Sequence, residues 1–110
     1  MGRKTIFILL AWMATAAAAL ADGHRFTLVV DAGHGGHDAG AKGAFSYEKN
    51  INLNVALAFG RLVEDNCPDV RVIYTRKTDV FVPLHRRAEI ANKNKADVFI
   101  SIHTNALPAG

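Results

Sequence analysis

Phe26-Thr-Leu-Val-Val-Asp31 runs directly into Ala-Gly-His-Gly-Gly-His-Asp-Ala-Gly40. An apolar, β-branched run that meets a glycine cluster reads as a buried strand ending in a tight loop. From there the chain alternates in type. Tyr47 to Asp65 reads as a helix, with Ile51, Val55, Ala58, Phe59 and Leu62 recurring at three- and four-residue spacing as its apolar face. Asn54, Arg61 and Asp65 fall largely elsewhere, and Asn66 and Pro68 stop the helix. Val70-Arg-Val-Ile-Tyr74 reads as a second strand. Pro83 suits a first helical turn, and Leu84, Arg87, Ala88 and Ala91 then follow helical spacing. Asp97-Val-Phe-Ile-Ser-Ile102 reads as a third strand. The order βαβαβ, without repeat, linker or low-complexity stretch, predicts an α/β domain: a mostly parallel sheet with flanking helices.

Upstream of this unit, Arg3 and Lys4 precede an uncharged apolar run from Ile6 to Ala19, closed by Ala19-Leu20-Ala21. That layout predicts a secretory signal peptide, residues 1–21, cleaved after Ala21. The run is shorter than the roughly 20 residues of a membrane-spanning helix, so no stable anchor is expected after cleavage. Without Arg3 and Lys4 the net charge of +3 falls to 11 basic against 10 acidic residues. Such a balance gives no reason to expect nucleic acid or an anionic membrane as partner. Residues 22–110 make up one small domain of 89 residues. The single Cys67 has no partner for an internal disulfide and reads as a free, surface or half-buried thiol.

Topology places the chemistry. Ligands of open α/β sheets gather at the carboxyl ends of the strands. His34 lies just past the first strand, His103 just past the third, and Glu48 starts the helix returning from the first. Two imidazoles and one carboxylate at one sheet edge suit zinc with a fourth position open to water. The 13 residues between His34 and Glu48 exceed the usual two to six of such a turn, which favours a functional loop. Each residue also has a structural reading. A His in a glycine-rich turn is commonly solvated or bonded to backbone, and Glu48 could simply favour the helix dipole. His37 competes with His34 as a ligand, whereas His24 and His85 have no placement that recommends them. The pattern alone leaves the zinc site and these structural roles evenly matched. A phosphate loop is excluded more firmly. Asp38 stands where the dinucleotide pattern needs glycine, and Ala41-Lys42 follows Gly40 where the Walker pattern needs Lys-Ser or Lys-Thr.

Five blocks occur in order: Val29-Val-Asp-Ala-Gly-His-Gly-Gly-His-Asp-Ala-Gly-Ala41, Glu48-Lys49, Tyr74-Thr-Arg76, Leu84-x-x-Arg-x-x-x-Ala-Asn92 and Ala96-Asp-Val-Phe-Ile-Ser-Ile-His-Thr-Asn-Ala106. Together they resemble the catalytic domain of the zinc-dependent N-acetylmuramoyl-L-alanine amidase family, with Ala32 where many members carry Pro. The resemblance implies zinc held by His34, Glu48 and His103. It implies hydrolysis of the amide between N-acetylmuramic acid and L-alanine in peptidoglycan, by an exported protein in the periplasm or outside the cell. It also implies a later glutamate as acid/base, and neither Glu64 nor Glu89 matches it. On this reading residues 22–110 are the N-terminal part of the catalytic domain, with the C-terminal part missing and no certain catalytic residue. The alternative is a truncated, inactive zinc- or cell-wall-binding remnant. Asn105 is a candidate for orienting substrate, with a turn-capping role preferred. Arg76 and Arg87 are expected to be structural partners of carboxylates.

Overall fold

The computed structural model describes residues 25–105. The expected signal peptide and Ala106 lie outside them. Five elements follow the expected order: β1 (Phe26–Ala32), α1 (Glu48–Asn66), β2 (Val70–Tyr74), α2 (Leu84–Lys93) and β3 (Val98–Ile102). The strands form one parallel sheet in the order β2-β1-β3. Val30 pairs with Tyr74 on one side, and Ala32 pairs with Ile102 on the other. Because β1 is central it is buried along its whole length, which explains a run too apolar to alternate.

The chain moves from β1 outward to β2, then back across β1 to β3. Right-handed crossovers in opposite directions put their helices on opposite faces. Phe26, Leu28, Val30 and Ala32 face α1, where Ala56 joins their cluster. Asp31, on the other face, is reached by Arg87 of α2. Asp97 fastens the far end of the sheet, since its carboxylate accepts from Thr27 N at 2.8 Å and its own N–H donates to Thr27 O.

The buried face of α1 differs from the periodicity expectation. Ile51, Val55, Ala58 and Leu62 are exposed, and Phe59 is only half-buried. The buried row is instead Glu48, Asn52, Ala56 and Gly60, one residue per turn. Two of these are polar because they serve the site at the helix start. The other two are small because the helix lies close to the sheet: a Cβ on Gly60 would stand 2.1 Å from the Tyr74 hydroxyl. Pro83 is the residue before α2 and not in its first turn, with extended backbone at φ −60° and ψ 152°. Among the described residues no helix is long and apolar enough to cross a membrane. Cys67 is a free, half-buried thiol at the C-cap of α1.

Candidate metal centre

The strand order makes the site. With β1 between β2 and β3, the crevice past the β1 and β3 carboxyl ends is where such a sheet takes ligands. His34 follows β1 by two residues, and His103 is the first residue after β3. Glu48 is the first residue of α1. One donor atom from each of the three lies within 4.8 Å of the others. Glu48 Oε2 is 3.3 Å from His34 Nε2 and 3.3 Å from His103 Nδ1. The two rings meet edge to face, with centroids 5.1 Å apart.

Each donor is aimed by its neighbours. Asp38 Oδ2 lies 2.9 Å from His34 Nδ1. A carboxylate can only accept, so an Nδ1–H that donates to Asp38 leaves Nε2, the nitrogen facing Glu48, as the one available to a metal ion. The His34 bond holds Asp38 below the ordinary aspartate range. Glu48 is buried, which raises its pKa, but donated hydrogen bonds outweigh burial. Ala41 N donates to Oε1, and Asn52 Nδ2 and Thr104 N donate to Oε2. Together with the nearby His34 they bring the pKa down to about 2, so the group is anionic at any neutral pH. Asn52 also donates to Gly33 O, and its own oxygen accepts from the Thr104 hydroxyl at 2.9 Å. Gly33 must be glycine for close approach, because a Cβ there would lie 2.3 Å from the His103 ring.

The loop between His34 and Glu48 is likewise held at several points. Gly36 N donates to Asp79, while Lys49 Nζ bonds both Gly36 O and Asp79. Arg76 corrects the expectation made for it: it bonds carbonyl oxygens, those of Ala32, Gly33, Thr78 and Lys49, and among the described residues no carboxylate. Arg87 does pair with a carboxylate, Asp31, at 2.8 Å. His37 stacks on Phe81 with centroids 4.2 Å apart, outside the donor group. His85 lies exposed on α2, and Asn105 is exposed beyond Thr104. A cavity of about 310 Å³ opens beside His34 and His103, with Asp31 and Asp38 in its wall and an apolar side made by Phe81 and Val82.

Sequence reasoning missed Asp38, Asn52 and Thr104 as supports of the donor group. Asn52 had a signal, since it stands four residues after Glu48 and so shares its helix face. Asp38 and Thr104 had none beyond nearness to a histidine.

This arrangement defines a parallel α/β domain with a His–Glu–His group, able to hold a metal ion, at its ligand-binding edge. The family model described as N-acetylmuramoyl-L-alanine amidase matches residues 28–110, and the chain belongs to that family. N-acetylmuramoyl-L-alanine amidase AmiA of Escherichia coli strain K12 is 42% identical over 93 residues, covering 80% of this chain and 32% of that protein. AmiC of E. coli O6:H1 is 40% identical over 80 residues, 72% of this chain and 19% of that protein. The solved catalytic domain of the amidase CwlV from Bacillus (Paenibacillus) polymyxa is similar in fold, with a TM-score of 0.73 at 41% identity, over 76% of this chain and 48% of that one. The chain thus spans a fifth to a third of those two curated relatives and about half of that solved domain.

Proposed function

We propose that this chain carries the zinc centre of an N-acetylmuramoyl-L-alanine amidase, which hydrolyses the amide joining N-acetylmuramic acid to L-alanine in peptidoglycan. The observation that carries the reading is the pair of 3.3 Å separations about Glu48 Oε2. Two donors each about 2.0–2.1 Å from one tetrahedral zinc ion stand about 3.3–3.4 Å apart, which both separations about Glu48 match, while the three donors together lie within 4.8 Å of one another. Two neutral imidazoles and one carboxylate also match the ligand types of catalytic zinc, which keep one position open. The Asp38–His34 bond adds the carboxylate–histidine support usual behind such a ligand.

Zinc held by His34, Glu48 and His103 would polarise the amide carbonyl and lower the pKa of water to about 7. The chain's own residues prepare that chemistry. With the metal bound, Asp38 would accept from His34 Nδ1 and leave Nε2 to ligate. Ala41, Asn52 and Thr104 hold Glu48 anionic and fixed. The apolar wall of Phe81 and Val82 shields one side of the cavity from water. Asp31 and Asp38, the carboxylates in that cavity, are already engaged by Arg87 and His34, so neither is free to accept a proton from water. The protein acts outside the cytoplasm, where peptidoglycan is, after loss of residues 1–21. Mass spectrometry of the exported protein is expected to show an N-terminus at Asp22, and a retained Met1 would contradict export by cleavage.

The test of function uses purified peptidoglycan and detects released peptides that begin with L-alanine. Release is expected to stop with a chelator, return with zinc, and be lost in His34→Ala, Glu48→Ala and His103→Ala. Release that ignores both the chelator and the three substitutions would remove the zinc mechanism.

A further inference from the structure

We propose that Arg87 is a positioning residue for the metal group: its guanidinium holds the backbone turn that aims His34, and through Asp31 it ties that turn to the strand carrying His103. The inference rests on reading His34, Glu48 and His103 as metal ligands.

His34 has φ +64°, a left-handed backbone that a residue with a Cβ adopts only under constraint. The constraint comes from Arg87. Its Nη2 donates to His34 O at 2.7 Å, its Nη1 to Ala32 O and to Asp31 Oδ1, and its Nε to Val82 O. Both side chains of the Arg87–Asp31 pair are 5% exposed, so water competes little for that ion pair. Asp31 then accepts from Thr75 Oγ1 at 2.6 Å, just past β2, and from Ser101 Oγ at 2.7 Å, on β3 two residues before His103. One planar cation therefore fixes the carbonyl of one ligand and, through one carboxylate, the strand end of another. A lysine at this place keeps the charge opposite Asp31 but lacks the rigid fork that reaches His34 O, Ala32 O and Val82 O together.

The experiment uses the full chain and reads metal, not turnover. Zinc affinity is measured by competition with a chromophoric chelator, and ligand geometry by the visible spectrum of the cobalt(II)-loaded protein. Arg87→Lys is expected to weaken zinc about 10–100-fold, as loss of outer support typically does, and to alter the cobalt spectrum. Val70→Ala, a core truncation at the far end of β2, supplies the stability control and should leave both readouts as in the wild type. The neutral pair Asp31→Asn with Arg87→Gln, which avoids a buried lone charge, should show the same loss as Arg87→Lys. Wild-type affinity and spectrum in either Arg87 variant would overturn the positioning role while leaving the metal site standing. A Val70→Ala loss as large as that of Arg87→Lys would also overturn it, because general destabilisation would then explain both. A wild-type chain that binds no zinc would overturn the metal reading and this inference with it.

Discussion

Glu48 shows how a single residue is made fit for a metal. Burial alone would favour its neutral form, yet three donated hydrogen bonds and His34 bring its pKa to about 2. The same bonds fix which oxygen faces the imidazoles, so charge and aim have one origin. Gly33 acts by being small. Its Cα lies so near His103 that a Cβ would stand 2.3 Å from Cε1 and 2.6 Å from Nε2. Gly33→Ala is therefore expected to push the His103 ring off its position and weaken zinc about 10–100-fold, the range seen when a ligand loses its support. A chelator competition checks this, and wild-type affinity would show that the ring has room to yield. Of the residue-scale picture, the meeting of His34, Glu48 and His103 at one sheet edge was legible from their places at strand ends and a helix start, while the pattern alone left a metal role and structural roles evenly matched. Of their supports only Asn52 left a signal, one turn after Glu48; Asp38 did not, because its i to i+4 relation to His34 has meaning only in a loop whose path the sequence does not state.

At the scale of elements, α1 explains where periodicity misleads. An apolar stripe at three- and four-residue spacing normally marks the buried side of a helix, but here Ile51, Val55 and Leu62 are exposed. The row given to the sheet begins with Glu48 and Asn52 because the helix start must also build the site, and hydropathy does not register that demand. Asn52 is fully buried and bonded to Glu48, Gly33 O and Thr104. Asn52→Leu, similar in size, is expected to cost about 1–3 kcal/mol, the usual price of buried groups left without partners. Urea denaturation checks it; a neutral outcome would mean that water replaces the amide. The strands were legible to within a residue at each end, since central β1 is apolar on both faces and the crossover rules then fix the rest. Where the three strand ends converge, Asp31 gives the sheet a pH-dependent term. Burial raises its pKa, but the bonds from Ser101, Thr75 and Arg87 prevail and hold it below the ordinary 3.8. A group whose pKa is lower folded than unfolded stabilises the fold above the unfolded value and loses that contribution as pH falls through the folded value. Wild-type stability is thus expected to decline below about pH 4 more steeply than that of Asp31→Asn. Parallel acid-denaturation curves would show that Asp31 is not lowered.

At the scale of the whole molecule, holding a metal and turning over substrate are two properties that need not travel together. The described residues bring three donors to one point, and the fold that does so is shared with solved amidase domains over about half of their length. Hydrolysis asks for one thing more, a group that takes a proton from water and delivers it to the leaving amine of L-alanine. Among the described residues, the carboxylates that line the cavity are already committed, Asp31 to Arg87 and Asp38 to His34. Freeing either would disturb the support of the metal group itself. General acid–base help typically contributes about 10²–10⁴-fold, while Lewis-acid help from zinc needs only the three ligands. The two contributions therefore separate in one experiment, in which the full chain, loaded with zinc, is assayed on purified peptidoglycan beside the CwlV catalytic domain. Zinc uptake is expected at one ion per chain. Peptide release is expected to depend on zinc yet run about 10²–10⁴-fold slower than that of the reference domain. Equal rates would show that Asp31 or Asp38 leaves its partner to act as the base. Asp38→Asn would then identify which: it would abolish release if Asp38 is the base, and if Asp31 is, it would lower zinc affinity while release persists at saturating metal.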